Sequence, residues 1–335
     1  MARYVAASPS CGRLLGASGA SLHSASAALP PSVAPGRIQT PLEGDAAPSL
    51  ASAALSSVED ALQRGISVLS ESSGSTRADA LLLLAHALGR TREWIVAYAD
   101  AQISDEDLSL FIDLCERRRH GEPVSYITGS AWFYGREFIV EKSVLVPRPE
   151  TEHLVEEAVS FVREHDTECR VLDVGTGSGA IGCSIAAETS ALVDGTDISG
   201  AAIEMAKRNA ERLGVTGRCR FLCGDLAAPV EGRRYDVVIA NLPYLPTGEL
   251  VAAPDPTSFE PRVALDGGTD GLTVYRTLLA GIADLVAAKA MVLLEAAPPT
   301  IEGLKELTHA SLRDFMVTVG YDYAGLARYV KGTTK

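Results

Sequence analysis

The chain has 335 residues, enough for about two domains at the usual ~100–200 residues each, and 47% of them are hydrophobic. Acidic residues outnumber basic ones, 43 to 30, for a formal net charge of -13. That excludes broad, salt-driven binding to nucleic acid, although not a local basic groove, and it suits a basic protein partner steered at long range.

No window holds the ~18 continuous apolar residues of a membrane span. The six cysteines, at positions 11, 115, 169, 183, 219 and 223, form no Cys-x-x-Cys pair and have no histidine cluster beside them. They predict no metal site and fit a reducing compartment.

Residues 1–54 are rich in Ala, Ser, Gly and Pro, and Arg3, Arg13 and Arg37 precede the first acid, Glu43. Such a segment buries too little apolar surface to offset its ordering entropy. It reads as a disordered extension or an organelle transit peptide. Residues 55–120 read as a helical domain. Val58, Leu62, Ile66 and Leu69 repeat at helical spacing, 77–88 and 91–99 suggest two more helices, and Ser104 with Asp107 marks the start of a fourth running to about 119. Residues 121–147 read as a β-hairpin linker, with strands expected over 124–129 and 136–140. From 148 onward strand and helix alternate. Pro149 opens a helix over 150–164. Strands are expected over 170–174, 192–197, 220–223, 235–240, 291–295 and 315–319, with a seventh near 328–330. Helices are expected over 180–188, 200–213 and 272–288. The pattern predicts an α/β Rossmann-like domain, a seven-stranded, mostly parallel sheet with helices on both faces, spanning 148–335.

Val171-Leu172-Asp173-Val174-Gly175-Thr176-Gly177-Ser178-Gly179-Ala180 is a strand, a glycine turn and a helix start. Glycines there permit positive φ and a close approach of backbone to ligand. Asp197 ends the next strand, where its carboxylate can accept from two ribose hydroxyls, with Ile198 beside it. Asp225, followed by Leu226, comes after the third and can meet an adenine amino group. Gly177-Ser178-Gly179-Ala180-Ile181-Gly182 also satisfies the dinucleotide fingerprint, so a nicotinamide cofactor competes. Asp173 favours a cationic ligand over a pyrophosphate. S-adenosyl-L-methionine, with its sulfonium and ammonium, is such a ligand. The other reading of Asp173 is an acid that caps the loop.

The strand over 235–240 ends in Asn241-Leu242-Pro243-Tyr244. The Asn241 oxygen and the Leu242 carbonyl are two acceptors that together can hold both hydrogens of a planar –NH2. Pro243 fixes the backbone beside them, and Tyr244 can pack on the face of the group. An amide nitrogen shares its lone pair with its carbonyl and is a poor nucleophile. Two placed acceptors would orient it and stabilise the positive charge it gains on attack.

From about residue 58 to 330 the chain resembles the HemK/PrmC release-factor glutamine methyltransferases. Three further stretches carry the likeness: Gly121-Glu122-Pro123-Val124-Ser125-Tyr126-Ile127-Thr128-Gly129, Val144-Leu145-Val146-Pro147-Arg148-Pro149-Glu150-Thr151-Glu152, and Phe259-Glu260-Pro261-Arg262 continuing to Leu272. The resemblance implies an N-terminal domain that helps dock the release factor. It also implies a class I methyltransferase domain that makes N5-methylglutamine in a Gly-Gly-Gln motif. By carry-over, Asn241 and the Leu242 carbonyl bind the target amide, Asp197 binds ribose, and the loop from Gly175 to Gly179 backs the methionine part of the cofactor. The family usually has Asn-Pro-Pro-Tyr; Leu242 replaces the first proline, and Leu242→Pro is expected to be tolerated. After the fifth strand, Glu295-Ala296-Ala297-Pro298-Pro299 also departs from the usual pattern, and its prolines are expected to delay the next helix. The partners implied are class 1 release factors, with no direct nucleic acid, no membrane and a monomeric state. The compartment implied is the cytoplasm, or a mitochondrion or plastid if 1–54 is a transit peptide. Three rivals remain: a glutamine methyltransferase of a ribosomal protein, a ribosomal RNA adenine methyltransferase, and a binding module without activity.

Overall fold

The computed structural model describes residues 56–70, 75–165, 168–252 and 254–334. All of these fall in one compact unit, Ala53–Lys335. The expected extension over 1–54 lies outside the described residues.

Four helices come first: α1 Val58–Leu69, α2 Thr76–Ala87, α3 Arg92–Ala97 and α4 Asp105–Arg119. Ser57 and Asp60 form a reciprocal capping box on α1, and Ser104 accepts from the Asp107 N–H on α4. Each satisfies amide groups that a helix start leaves unpaired. Val58, Leu62, Leu83, Leu84, Ile95 and Phe111 close a core of their own.

The linker departs from expectation. Val124–Thr128 is not a strand but a single helical turn, α5. Its β-branched residues suggested a strand, but Pro123 sets the entry at φ -56° and Gly129 ends the turn at φ +76°. Buried Ile127 joins the core of the helical unit, whereas Tyr126 joins a second cluster beneath the hairpin. The hairpin itself is β1 Ser130–Phe133 with β2 Arg136–Ile139.

A 3-10 turn over Pro149–Thr151 leads into α6 Glu152–Arg163. Then come β3 Arg170–Val174, α7 Ala180–Glu188, β4 Leu192–Asp197, α8 Gly200–Arg212, β5 Cys219–Cys223 and β6 Tyr235–Ala240. The expected single helix over 272–288 is two pieces, α9 Thr273–Ala280 and α10 Ile282–Leu285, broken at Gly281. Its last three positions already belong to β7 Val286–Glu295. Pro298 and Pro299 do delay the next helix: a 3-10 turn precedes α11 Ile301–Ser311. Strands β8 Phe315–Tyr321 and β9 Ala327–Thr334 close the chain.

The sheet order is β5-β4-β3-β6-β7-β9-β8. Strands β3 to β7 run parallel, and β9 is antiparallel to both of its neighbours. The chain winds outward from β3 in one direction and from β6 in the other, so the crevice between them is a topological switch point, where such sheets bind ligands. One face packs against α6, α7 and α8 through Leu154, Ile185 and Ile203; the other packs against α9, α10 and α11 through Tyr275, Ile282 and Leu304.

Asn209 of α8 ties three elements together. Its Oδ1 accepts from the Ile139 N–H at 2.7 Å, and its Nδ2 donates to the Ile139 and Ser178 carbonyls, both at 2.9 Å. The side chain is fully buried, so truncation leaves main-chain groups without partners. Asn209→Ala is expected to cost about 3 kcal/mol, roughly 1 kcal/mol for each hydrogen bond. A urea titration would register this as a lower midpoint.

Candidate active site

The loop after β3 is shaped by Asp173. Its carboxylate is 0% exposed, and Oδ2 accepts from the Thr176 hydroxyl at 2.6 Å and the Gly182 N–H at 3.1 Å. Burial pushes its pKa up to about 6 against those two hydrogen bonds. The sequence reading placed Asp173 against a cationic ligand. The other reading, an acid that caps the loop, accounts for Oδ2, which sits beneath the loop and holds it by taking the N–H and O–H donors the turn offers, while Oδ1 is buried without a hydrogen-bond partner among the described residues. The Gly175 and Thr176 amides donate to the Thr196 carbonyl at 2.8 and 2.9 Å, which ties the loop to β4. A Cβ at Gly177 would meet only the Gly175 carbonyl, at 4.0 Å. Gly177 also lines the cavity described next. Gly179 serves packing rather than ligand: a Cβ there would reach Ala206 of α8 at 3.0 Å.

A cavity of about 240 Å³ opens at the carboxyl ends of β3 to β6. Gly175, Thr176, Gly177, Asp197, Ile198, Asp225, Leu226, Asn241, Leu242 and Pro243 all line it. Ten positions assigned from sequence alone therefore converge on one space, although they are spread over almost seventy residues of chain. Asp197 accepts from the Gly177 N–H at 2.9 Å and the Ser199 N–H at 2.8 Å; burial raises its pKa while those amides oppose the rise. Leu226 holds φ +44°, a left-handed conformation uncommon for a side chain of its size.

The loop after β6 faces the opposite wall. Asn241 Nδ2 donates to Thr151 Oγ1 at 3.1 Å. The Leu242 N–H donates to the Tyr275 hydroxyl at 3.1 Å, and that hydroxyl donates in turn to the Glu295 main-chain carbonyl. Tyr244 is not among the cavity-lining residues. Its ring packs on the core beside α9, and its hydroxyl reaches Glu295 Oε1 at 3.4 Å. Tyr244 thus braces the loop through the core and Glu295 and does not line the cavity, where its packing on the target group was expected.

Several wall residues were not assigned from sequence. Thr151 lies in the stretch that carried the resemblance, but only its contact with Asn241 reveals a role. Phe133 arrives from the hairpin, and Val263 and Ala264 from the segment after Phe259. Arg148 also lines the cavity; it pairs with Glu260, whose other oxygen accepts from the Val146 N–H at 3.1 Å. Burial raises the Glu260 pKa, and Arg148 opposes it. The segment from Phe259 to Arg262 thus clamps the approach to α6 in place. Among the described residues no cluster could hold a metal ion, and no helix is long and apolar enough to cross a membrane.

The fold and this cavity are those of a class I methyltransferase, and the residues present fit its cofactor, S-adenosylmethionine. Gly177 leaves space where a side chain would stand, and Asp197 and Asp225 offer acceptors at the ends of β4 and β5. The profile of the PrmC N-terminal domain matches residues 60–129, and that of a methyltransferase domain matches 165–276. A release factor glutamine methyltransferase of Moorella thermoacetica is 38% identical over 253 residues, 75% of this chain and 89% of that protein. One of Neisseria gonorrhoeae is 40% identical, covering 65% of this chain and 80% of its own. One of Bacillus subtilis is 35% identical over 284 residues, 82% and 97%. The chain belongs to the release factor glutamine methyltransferase family.

Asp173→Ala is expected to weaken cofactor binding about tenfold, since it leaves the Thr176 hydroxyl and the buried Gly182 N–H without their shared acceptor (roughly 1–3 kcal/mol). Calorimetric titration with S-adenosylmethionine measures it.

Proposed function

We propose that this chain methylates the side-chain amide nitrogen of the glutamine in the Gly-Gly-Gln motif of class 1 peptide-chain release factors. The observation that carries this reading is the acceptor pair at the tip of β6, Asn241 Oδ1 and the Leu242 carbonyl. With its Nδ2 engaged by Thr151, Asn241 keeps its oxygen for an outside donor.

S-adenosylmethionine supplies an electrophilic methyl group on a sulfonium. Asn241 Oδ1 and the Leu242 carbonyl each accept one hydrogen of the target –NH2. They orient its nitrogen and stabilise the positive charge that develops as its bond to the methyl carbon forms and the carbon–sulfur bond breaks. No strong base is required, because the methylated nitrogen is acidic and releases its proton to solvent. Asp197 would hold the ribose hydroxyls, and Asp225 with Leu226 the adenine. The turn from Gly175 to Gly177 would lie along the methionine part. Asp173 supports that turn from below. Docking of the release factor on the helical unit, a monomeric enzyme, no direct role for nucleic acid and a cytoplasmic site of action belong to the same reading.

Asn241→Ala is expected to bind the cofactor normally and lose turnover by about 10²–10³-fold, the loss typical of a removed charge-stabilising partner. Incubation with methyl-labelled cofactor and purified release factor, followed by mass spectrometry of the Gly-Gly-Gln peptide, reads both site and rate. Leu242→Pro removes one N–H donor and a side chain packed in the core, but keeps the carbonyl. It is expected to lower stability by about 1–2 kcal/mol and to leave turnover within about threefold. A thermal melt and the same labelling assay check the two halves.

A further inference from the structure

The cavity wall holds a cation that the reaction as described leaves without a task. Arg148 is the one Lys, Arg or His side chain among the described residues that line the cavity. Its side chain is 36% exposed, and its Nη2 donates to Glu260 Oε2. Among the described residues the other N–H groups of the guanidinium have no partner. Glu260 holds the guanidinium firmly: its side chain is 1% exposed, and its second oxygen accepts from the Val146 N–H at 3.1 Å. A planar fork anchored at one prong keeps its remaining donors in a fixed arrangement.

Two observations put this fork beside the target amide. The Arg148 carbonyl accepts from the Thr151 N–H at 3.1 Å, and the Thr151 hydroxyl accepts from Asn241 Nδ2 at 3.1 Å, so Arg148 and the residue that holds Asn241 share one tight turn. On the other side, Glu260 is followed by Pro261, Val263 and Ala264, which line the same cavity and carry no side-chain donor. A guanidinium between these walls can meet a glutamine-bearing loop in two places. On the side-chain carbonyl it would draw the nitrogen lone pair further toward oxygen and make a poor nucleophile poorer. On main-chain carbonyls it leaves that lone pair alone. Each such carbonyl offers two lone pairs, and glycine, with no Cβ, lets it approach a wall closely.

We propose that Arg148 is a further substrate-binding residue: its unspent N–H groups donate to the main-chain carbonyls of the two glycines before the target glutamine. Asn241 and Leu242 hold the amide, and Arg148 holds the chain that carries it. Glu260 keeps the fork aimed, and so ties the segment after Phe259 to substrate binding. The proposal rests on the reading of Asn241 as the acceptor for the target amide.

The test compares the full-length enzyme with Arg148→Met and Arg148→Lys, measuring kcat and KM for release factor, cofactor affinity by calorimetry and the melting temperature. Arg148→Lys keeps a cation for Glu260 but loses the planar fork. Arg148→Met is expected to raise KM about tenfold or more, the loss typical of a charged hydrogen bond, and Arg148→Lys at least about threefold. In both, kcat should stay within about threefold, because a main-chain contact is made equally before and during methyl transfer. Cofactor affinity should stay within about twofold, and Arg148→Lys should melt closer to the wild type than Arg148→Met does. If Arg148→Met does not fold, Arg148→Lys decides alone. A normal KM in either variant would overturn the proposal. So would a loss of cofactor affinity with KM unchanged, which would assign the guanidinium to the carboxylate of the cofactor, or a melting temperature lowered equally in both variants, which would leave only the pair with Glu260. An active Asn241→Ala enzyme would instead remove the reading on which the proposal rests.

Discussion

The chemistry of this enzyme turns on a weak nucleophile. A carboxamide nitrogen has little basicity because its lone pair is delocalised, so rate must come from where that nitrogen is held and what its hydrogens meet. Both hydrogens need acceptors, and an asparagine side chain is an acceptor in only one of its two flips. The Asn241–Thr151 hydrogen bond at 3.1 Å is therefore the constraint on which the rest depends.

The architecture can be read as the support for that constraint. The parallel sheet delivers the loops after β3 and β6 to opposite sides of one switch point, which brings the glycine turn and Asn241 to the same cavity. Thr151 is held at the start of α6, and the approach to that helix is clamped by Glu260 through Arg148 and the Val146 amide. Tyr275 of α9 receives the Leu242 N–H and fixes the second acceptor. Asn209 fastens the hairpin and the end of the glycine turn to α8. Each of these links joins segments far apart in sequence, so the site forms only when both faces of the sheet are packed.

Much of this was legible in the chain. Strands β3, β4 and β6 read clearly because buried parallel strands are short apolar runs ending in turn residues, and the glycines and acids at their carboxyl ends mark the site. Legibility failed where tertiary context decides. Residues 124–128 carry strand-forming side chains, but Pro123 and Gly129 enforce a helical turn between two cores. Residues 272–288 look like one helix, yet Gly281 divides it and the sheet claims the final positions. Asp173 illustrates a subtler limit: position and charge left a ligand contact and a loop cap both open, and its burial with the Thr176 hydrogen bond shows the cap. Tyr244 is absent from the cavity lining, and its hydroxyl instead lies by Glu295, fifty-one residues on. Thr151 could not be singled out at all, because its importance lies in a partner ninety residues away.

The most direct measurement is a crystal structure of the enzyme with demethylated cofactor and a release-factor domain bearing the Gly-Gly-Gln loop. The account predicts the glutamine amide nitrogen at about 2.7–3.2 Å from both Asn241 Oδ1 and the Leu242 carbonyl, with Asn241 Nδ2 still on Thr151. A glutamine side chain seated elsewhere, or an Asn241 that turns its nitrogen to the substrate, would contradict it.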